Sequence, residues 1–169
     1  MRFWCIAFLI ALATCVSARD DADEIARQQF TGTWILNSKK SSAPSVRDKE
    51  VWIISVANAE IHIKKSYILK KGETSYTVRL QTDNRGESNL IPLKQEAQTI
   101  ISKTKWDKRT LIRKYSTTSN PALFTLEITE KYQLSKDGNR LTVESAMRSN
   151  YPDLVGGAVP TTRVFDRQL

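Results

Sequence analysis

From Phe124 to Leu134 the side chains alternate. Phe124, Leu126, Ile128, Tyr132 and Leu134 share one parity, while Thr125, Glu127, Thr129, Lys131 and Gln133 share the other. A helix repeats its apolar positions every three or four residues, so strict period two over this length demands a long antiparallel strand with one buried face. Leu141 and Val143 then alternate with Thr142 and Glu144, and Lys136-Asp137-Gly138-Asn139 between the two runs has the composition of a tight hairpin turn.

The same grammar recurs upstream. Trp52, Ile54 and Val56 alternate with Val51, Ile53 and Ser55, a strand apolar on both faces for part of its length. Ile61, Ile63, Tyr67 and Leu69 share a face across from His62, Lys64, Ser66 and Lys70, and Tyr76, Val78 and Leu80 lie opposite Thr77, Arg79 and Gln81. Ile100, Ser102, Thr104 and Trp106 alternate with Lys103 and Lys105, Asp107-Lys108-Arg109 turns into Leu111-Ile112-Arg113, and Thr161 to Gln168 forms a closing strand. Such spacing predicts an all-β, antiparallel up-and-down barrel of about eight to ten strands, since closure removes the exposed edges of a meander. A transmembrane barrel needs an apolar outer face, whereas this pattern predicts an apolar interior and a charged exterior. No composition break divides residues 30–169, which are expected to form one barrel domain behind a short helical lead-in at residues 19–29, acidic in its first turn.

Residues 1–18, MRFWCIAFLIALATCVSA, place Arg2 before an apolar run too short to span a bilayer, and Val16-Ser17-Ala18 supplies a small-residue cleavage pattern. They are expected to be a signal peptide directing export, periplasmic or secreted. The alternative is a lipoprotein anchored at Cys15, although Thr14 stands where a lipobox takes Gly, Ala or Ser. Cleavage after Ala18 removes both cysteines, Cys5 and Cys15, which excludes thiol catalysis, cysteine-bound zinc and disulfides from the mature chain. It also lowers the formal charge of +8 by one, through Arg2.

Phe30-Thr31-Gly32-Thr33-Trp34 opens the first strand, and this Gly-x-Trp at the head of a meander resembles the lipocalins and the wider calycin barrels. FTGTWIL at 30–36 and Thr162-Arg163-Val164-Phe165 at the end also resemble the fatty-acid-binding proteins, with Phe165 in place of their closing Tyr. The layout is most similar to exported bacterial lipocalin-like proteins. The resemblance implies a barrel whose interior takes a small apolar or amphipathic ligand. Two departures stand out: residues 38–49 are too short and too rich in Ser and Pro for a two-helix lid, and the lipocalin disulfide is absent.

Gly32 and Trp34 are therefore expected to be structural, the indole plugging one barrel end and the glycine letting the backbone pass closely. Candidate ligand contacts in the interior are Tyr67, Trp106, Glu130, Tyr132, Arg163 and Phe165. The resemblance implies two roles for Arg163: receiving a ligand carboxylate, or stacking on Trp34 at the barrel base, with Arg167 as the substitute. Stacking is the expected role, and the guanidinium partner is Trp34, Glu130 or an anionic ligand. Glu130 is the one acid expected to point inward. No catalytic residue, metal site or cofactor is expected, because the single histidine, His62, lies on a polar face without a second one to form a triad. Competing readings are a filled barrel acting as an interaction module and a small hydrolase or isomerase on the same scaffold. The lysine and arginine clusters, Lys64-Lys65 and Arg113-Lys114 among them, are read as an outward face promoting solubility and loose attraction to anionic surfaces. No specific nucleic acid, no membrane span and a monomer are expected.

Overall fold

The computed structural model describes residues 24–42, 49–69, 72–92, 97–118, 125–150 and 160–169. The expected signal peptide with Cys5 and Cys15, the start of the lead-in, and Phe124 lie outside the described residues. A helical turn at 24–28 precedes ten strands: β1 (Gly32–Leu36), β2 (Lys49–Ala57), β3 (Glu60–Leu69), β4 (Gly72–Gln81), β5 (Glu87–Pro92), β6 (Ala97–Asp107), β7 (Thr110–Thr118), β8 (Thr125–Leu134), β9 (Arg140–Ser149) and β10 (Thr161–Arg167). They form one antiparallel sheet in the order β4-β3-β2-β1-β10-β9-β8-β7-β6-β5. Each hairpin pairs locally, and the first and last strands meet through Trp34↔Arg167, Ile35↔Asp166 and Leu36↔Phe165. The all-β meander read from the alternation is thus the observed fold, a nearly closed barrel with one short helix.

The two sheet edges, β4 and β5, are fastened by a side chain. Asn89 Nδ2 donates to the Arg79 carbonyl at 2.8 Å, and the Arg79 amide donates to Asn89 Oδ1 at 2.6 Å. The carboxamide offers the same donor and acceptor as a peptide group, so it acts as one rung of a ladder where the backbones have parted.

The alternation expected along β3, β4, β6, β8 and β9 is observed, except that Leu69 at the end of β3 is exposed, and the core gathers Trp34, Trp52, Ile54, Ile63, Leu80, Leu111, Leu141 and Phe165. The lower end is sealed. Trp34 is fully buried and donates its indole N–H to the Phe30 carbonyl at 2.9 Å, while Phe30 meets Trp106 edge-on at 5.2 Å. Arg167, rather than Arg163, lies over the Trp34 ring at 4.2 Å. Its guanidinium also donates to the carbonyls of Gly138 (2.9 Å), Thr31 (2.8 Å) and Gln29. Gly32 runs directly beneath it with φ of 147°, and a Cβ there would stand 2.6 Å from Arg167 Nη1.

Two substitutions test this base. Trp34→Ala should cost about 3–5 kcal/mol in urea unfolding, the usual range for removing a fully buried large aromatic. Gly32→Ala should lower the melting temperature by displacing the Arg167 guanidinium, and Trp34 near-ultraviolet dichroism should weaken with it.

Candidate functional site

Above the apolar base the interior changes character. On β3, Lys65 shares the inward parity of Ile63 and Tyr67, pairs across from Trp52 and Tyr76, and is 6% exposed. Its Nζ sits 4.1 Å over the Trp52 ring, and among the described residues no carboxylate comes within ion-pair distance of it. On β7, Arg113 is 3% exposed between inward Leu111 and Tyr115. The expected apolar interior with an all-outward basic face is therefore corrected: Lys65 and Arg113 point into the barrel. So do Glu50 and Glu87, which makes Glu130 one of three inward acids rather than the single one.

These charges are tied into two networks. Tyr132 donates its hydroxyl to Glu130 at 2.6 Å, Tyr115 donates at 3.3 Å, and Arg113 Nη1 lies 3.5 Å from the same carboxylate. Arg113 Nε donates to Ser102 Oγ at 3.0 Å; Ser102 and Thr104 in turn donate to Glu87 at 2.6 and 2.7 Å. On the other wall Glu50 accepts the Trp52 indole N–H at 2.8 Å and an Arg163 N–H at 3.4 Å. One donor is left over: Arg113 Nη2 is buried and has no hydrogen-bond partner among the described residues. An unsatisfied buried donor of this kind is rare in native proteins.

Electrostatics follow from these positions. Burial pushes the Lys65 ammonium down to about 8, with Glu130 and Glu50 opposing the shift and Arg113 and Arg163 adding to it. Burial would push the Glu130 carboxyl up, but Lys65, Arg113, the Tyr132 hydroxyl and Arg163 together hold it below its ordinary value. The Tyr115 and Tyr132 hydroxyls are driven up, first by burial and then by the Glu130 charge.

The structure brings four of the six candidate ligand residues to this polar layer: Tyr67, Glu130, Tyr132 and Arg163. Tyr67 shares a hydroxyl contact of 3.2 Å with Tyr76. The Arg163 side chain is 42% exposed although its strand parity is inward, so its guanidinium reaches solvent. Two candidates lie elsewhere. Phe165 is fully buried and packs against Trp52 in a tilted ring contact at 4.3 Å, part of the packed floor. Trp106 sits at the sealed base, against Phe30 and beneath Arg27 at 5.5 Å. The expected stacking of Arg163 on Trp34 is corrected: Glu50 is its partner. Lys65, Arg113, Glu50 and Glu87 were missed, although their parity with Ile63, Leu111, Trp52 and Asn89 is the signal that would have placed them. His62 is partly exposed on the outer face, 2.9 Å from Glu60.

The prominent concavities lie outside the lumen. One of about 1170 Å³ opens on the outer face of β6–β9, and one of about 570 Å³ lies beside the helical turn and Arg167.

No protein-family model matches the chain, and neither does any curated protein. Among solved structures, a secretory abundant heat soluble protein of Ramazzottius varieornatus matches at 14% identity and TM-score 0.50, over 83% of this chain and 96% of its own. Secretory abundant heat soluble protein 4 of the same organism matches at 12% and 0.50, over 84% and 96%. A mutant of the REP1-NXSQ fatty acid transporter matches at 14% and 0.49, over 82% and 98%. The fold is a calycin-like barrel. In this calycin-like barrel the sealed base is apolar and the ionic layer lies above it.

Stability should carry the mark of Lys65. Between pH 8 and its ordinary range near 10.5, the unfolded chain holds a proton on this amine that the folded chain has released, so stability rises with pH there. From pH 8 to 9.5, below the tyrosine range, unfolding free energy should gain about 1–2 kcal/mol in wild type and stay flat in Lys65→Met.

Proposed function

We propose that the barrel binds a small amphipathic anion, an apolar chain ending in a carboxylate-type group, within its upper lumen. The observation that carries this reading is a pair of incompletely satisfied cations on inward positions: Lys65, without an ion pair among the described residues, and Arg113, paired with Glu130 through Nη1 but with a buried Nη2 that has no hydrogen-bond partner there. A buried donor without a partner is costly, and a ligand oxygen would satisfy it. Arg163 at the mouth, half exposed, would meet the anion on entry, and Tyr67 and Ile128 would line the apolar part of its path. With the leader at residues 1–18, the same proposal places the barrel outside the cytoplasm, beginning near Arg19; N-terminal sequencing of the exported material tests it.

A second reading has its own support. Arg113 pairs with Glu130, Arg163 pairs with Glu50, and Trp34, Trp52, Tyr132 and Phe165 fill the lower lumen. A barrel so filled would serve as an interaction module.

Calorimetric titration with dodecanoate and dodecanol separates the two. The carboxylate should bind and the alcohol should bind at least about tenfold more weakly, a difference of roughly 1.4 kcal/mol. Because anion binding calls for a protonated Lys65, dodecanoate affinity should hold up to pH 8 and fall above it, and Lys65→Met should remove that fall. Absence of binding by either compound leaves the filled-barrel reading.

A further inference from the structure

The concavity of about 1170 Å³ on the outer face of β6–β9 lies on the opposite side of the sheet from the lumen. Five of its lining residues are cations, Lys103, Lys105, Lys114, Lys131 and Arg148, against one carboxylate, Glu127. None of the five takes part in an ion pair among the described residues. Glu127 and Glu144 stand across from Arg148 and Lys131, and Lys105 faces Asp83, whose carboxylate is taken by Arg85, which leaves Lys103 and Lys114 without a facing acid among the described residues. Lys103 and Lys114 are directly opposite each other in the ladder. Like charges in that relation destabilise a sheet, so the pairing works against the fold and calls for another origin.

We propose that this concavity is a docking surface for a linear polyanion of the sulfated or carboxylated polysaccharide type. Ammonium groups alternating along β6 and facing across to β7 and β8 offer a two-dimensional lattice of point charges, which suits anionic groups repeated along a chain. The lining residues disfavour two other partners. A single-stranded nucleic acid binds through bases stacked on aromatic faces, and the one aromatic here, Tyr115, has its ring against Arg113 at 4.5 Å on the luminal side. A protein partner would want buried aromatic or arginine anchors, whereas the prominent apolar group is Ile101, 70% exposed at the upper rim.

Lys103→Glu tests the proposal because it affects folding and binding in opposite directions. It turns the Lys103–Lys114 repulsion into an attraction, so the melting temperature should rise by about 1–3 °C. Binding of a heparin octasaccharide, measured by calorimetry, should weaken by at least about tenfold and become less salt-dependent. Lys64→Glu, the same charge change on the exposed face of β3, should leave heparin affinity within about threefold. Equal losses in both variants would overturn the docking surface in favour of net charge alone, as would failure of the wild type to bind heparin. An oligothymidylate of matched charge that binds as tightly, and loses as much in Lys103→Glu, would overturn the polysaccharide assignment.

Discussion

The Arg167 guanidinium over the Trp34 ring is the contact on which the barrel's closure depends. A meander of hairpins assembles from neighbours, each strand folding onto the one before it, until β10 must find β1 across most of the chain. That seam is short, three register pairs, and its formation carries the loop-closure cost of the entire sequence between the two strands. Arg167 strengthens it by joining three pieces at one point: the backbone entering β1, the β8–β9 turn and the indole itself. Polar contacts continue the seam upward, with Asn37 donating to Asp166 at 2.6 Å and the Val164 and Thr162 amides donating to the hydroxyls of Ser41 and Ser42. Residues 37–42 therefore lie along β10, held by hydrogen bonds.

Strand parity made the architecture legible, and applied without exception it would also have located the ionic layer. Lys65 lies between Ile63 and Tyr67, and Arg113 between Leu111 and Tyr115, yet their chemistry argued for solvent. The two signals conflict because burying a cation is expensive, so residue type is the better guide in an ordinary core and parity is the better guide here. The choice between Arg163 and Arg167 was of another kind. Both have the same parity, four residues apart, and only the register of β10 on β1, which sets Arg167 opposite Trp34, decides which reaches the ring. Nothing local in the sequence encodes that register. Trp106 failed as a luminal contact for a related reason: its inward direction was right, but its height in the barrel placed it at the sealed end.

The ionic layer cannot be explained by stability. Buried pairs such as Arg113–Glu130 roughly balance attraction against desolvation, and an apolar replacement of similar volume is commonly as stable or more so. Here the account is further from closing, because among the described residues Lys65 has no carboxylate in contact and Arg113 keeps an unsatisfied N–H. A barrel required only to stand up would continue its Trp, Ile and Leu packing to the rim. The departure is a buried layer, with Lys65 and Arg113 6% and 3% exposed and Arg163 reaching solvent beside it, so its cost falls on groups that water does not relieve and the proposed anion would.

Both proposed sites are written on the same strands. On β6, Ser102 and Thr104 face the lumen while Lys103 and Lys105 face outward; on β7, Arg113 faces in and Lys114 out. A slip of one residue would exchange the two sets, so the alternation that builds the barrel also separates the two charge clusters by the thickness of one sheet. Cations on either side raise the positive potential at the other. An anion seated in the lumen therefore lowers the attraction felt by a polyanion outside, and the reverse must hold by the same amount, since coupling between two binding equilibria is reciprocal. The sheet itself is of low dielectric, while the ions around it screen beyond about 8–10 Å at physiological salt. If both proposed sites are occupied, this antagonism acts through the thickness of one sheet, and it would weaken as salt is added.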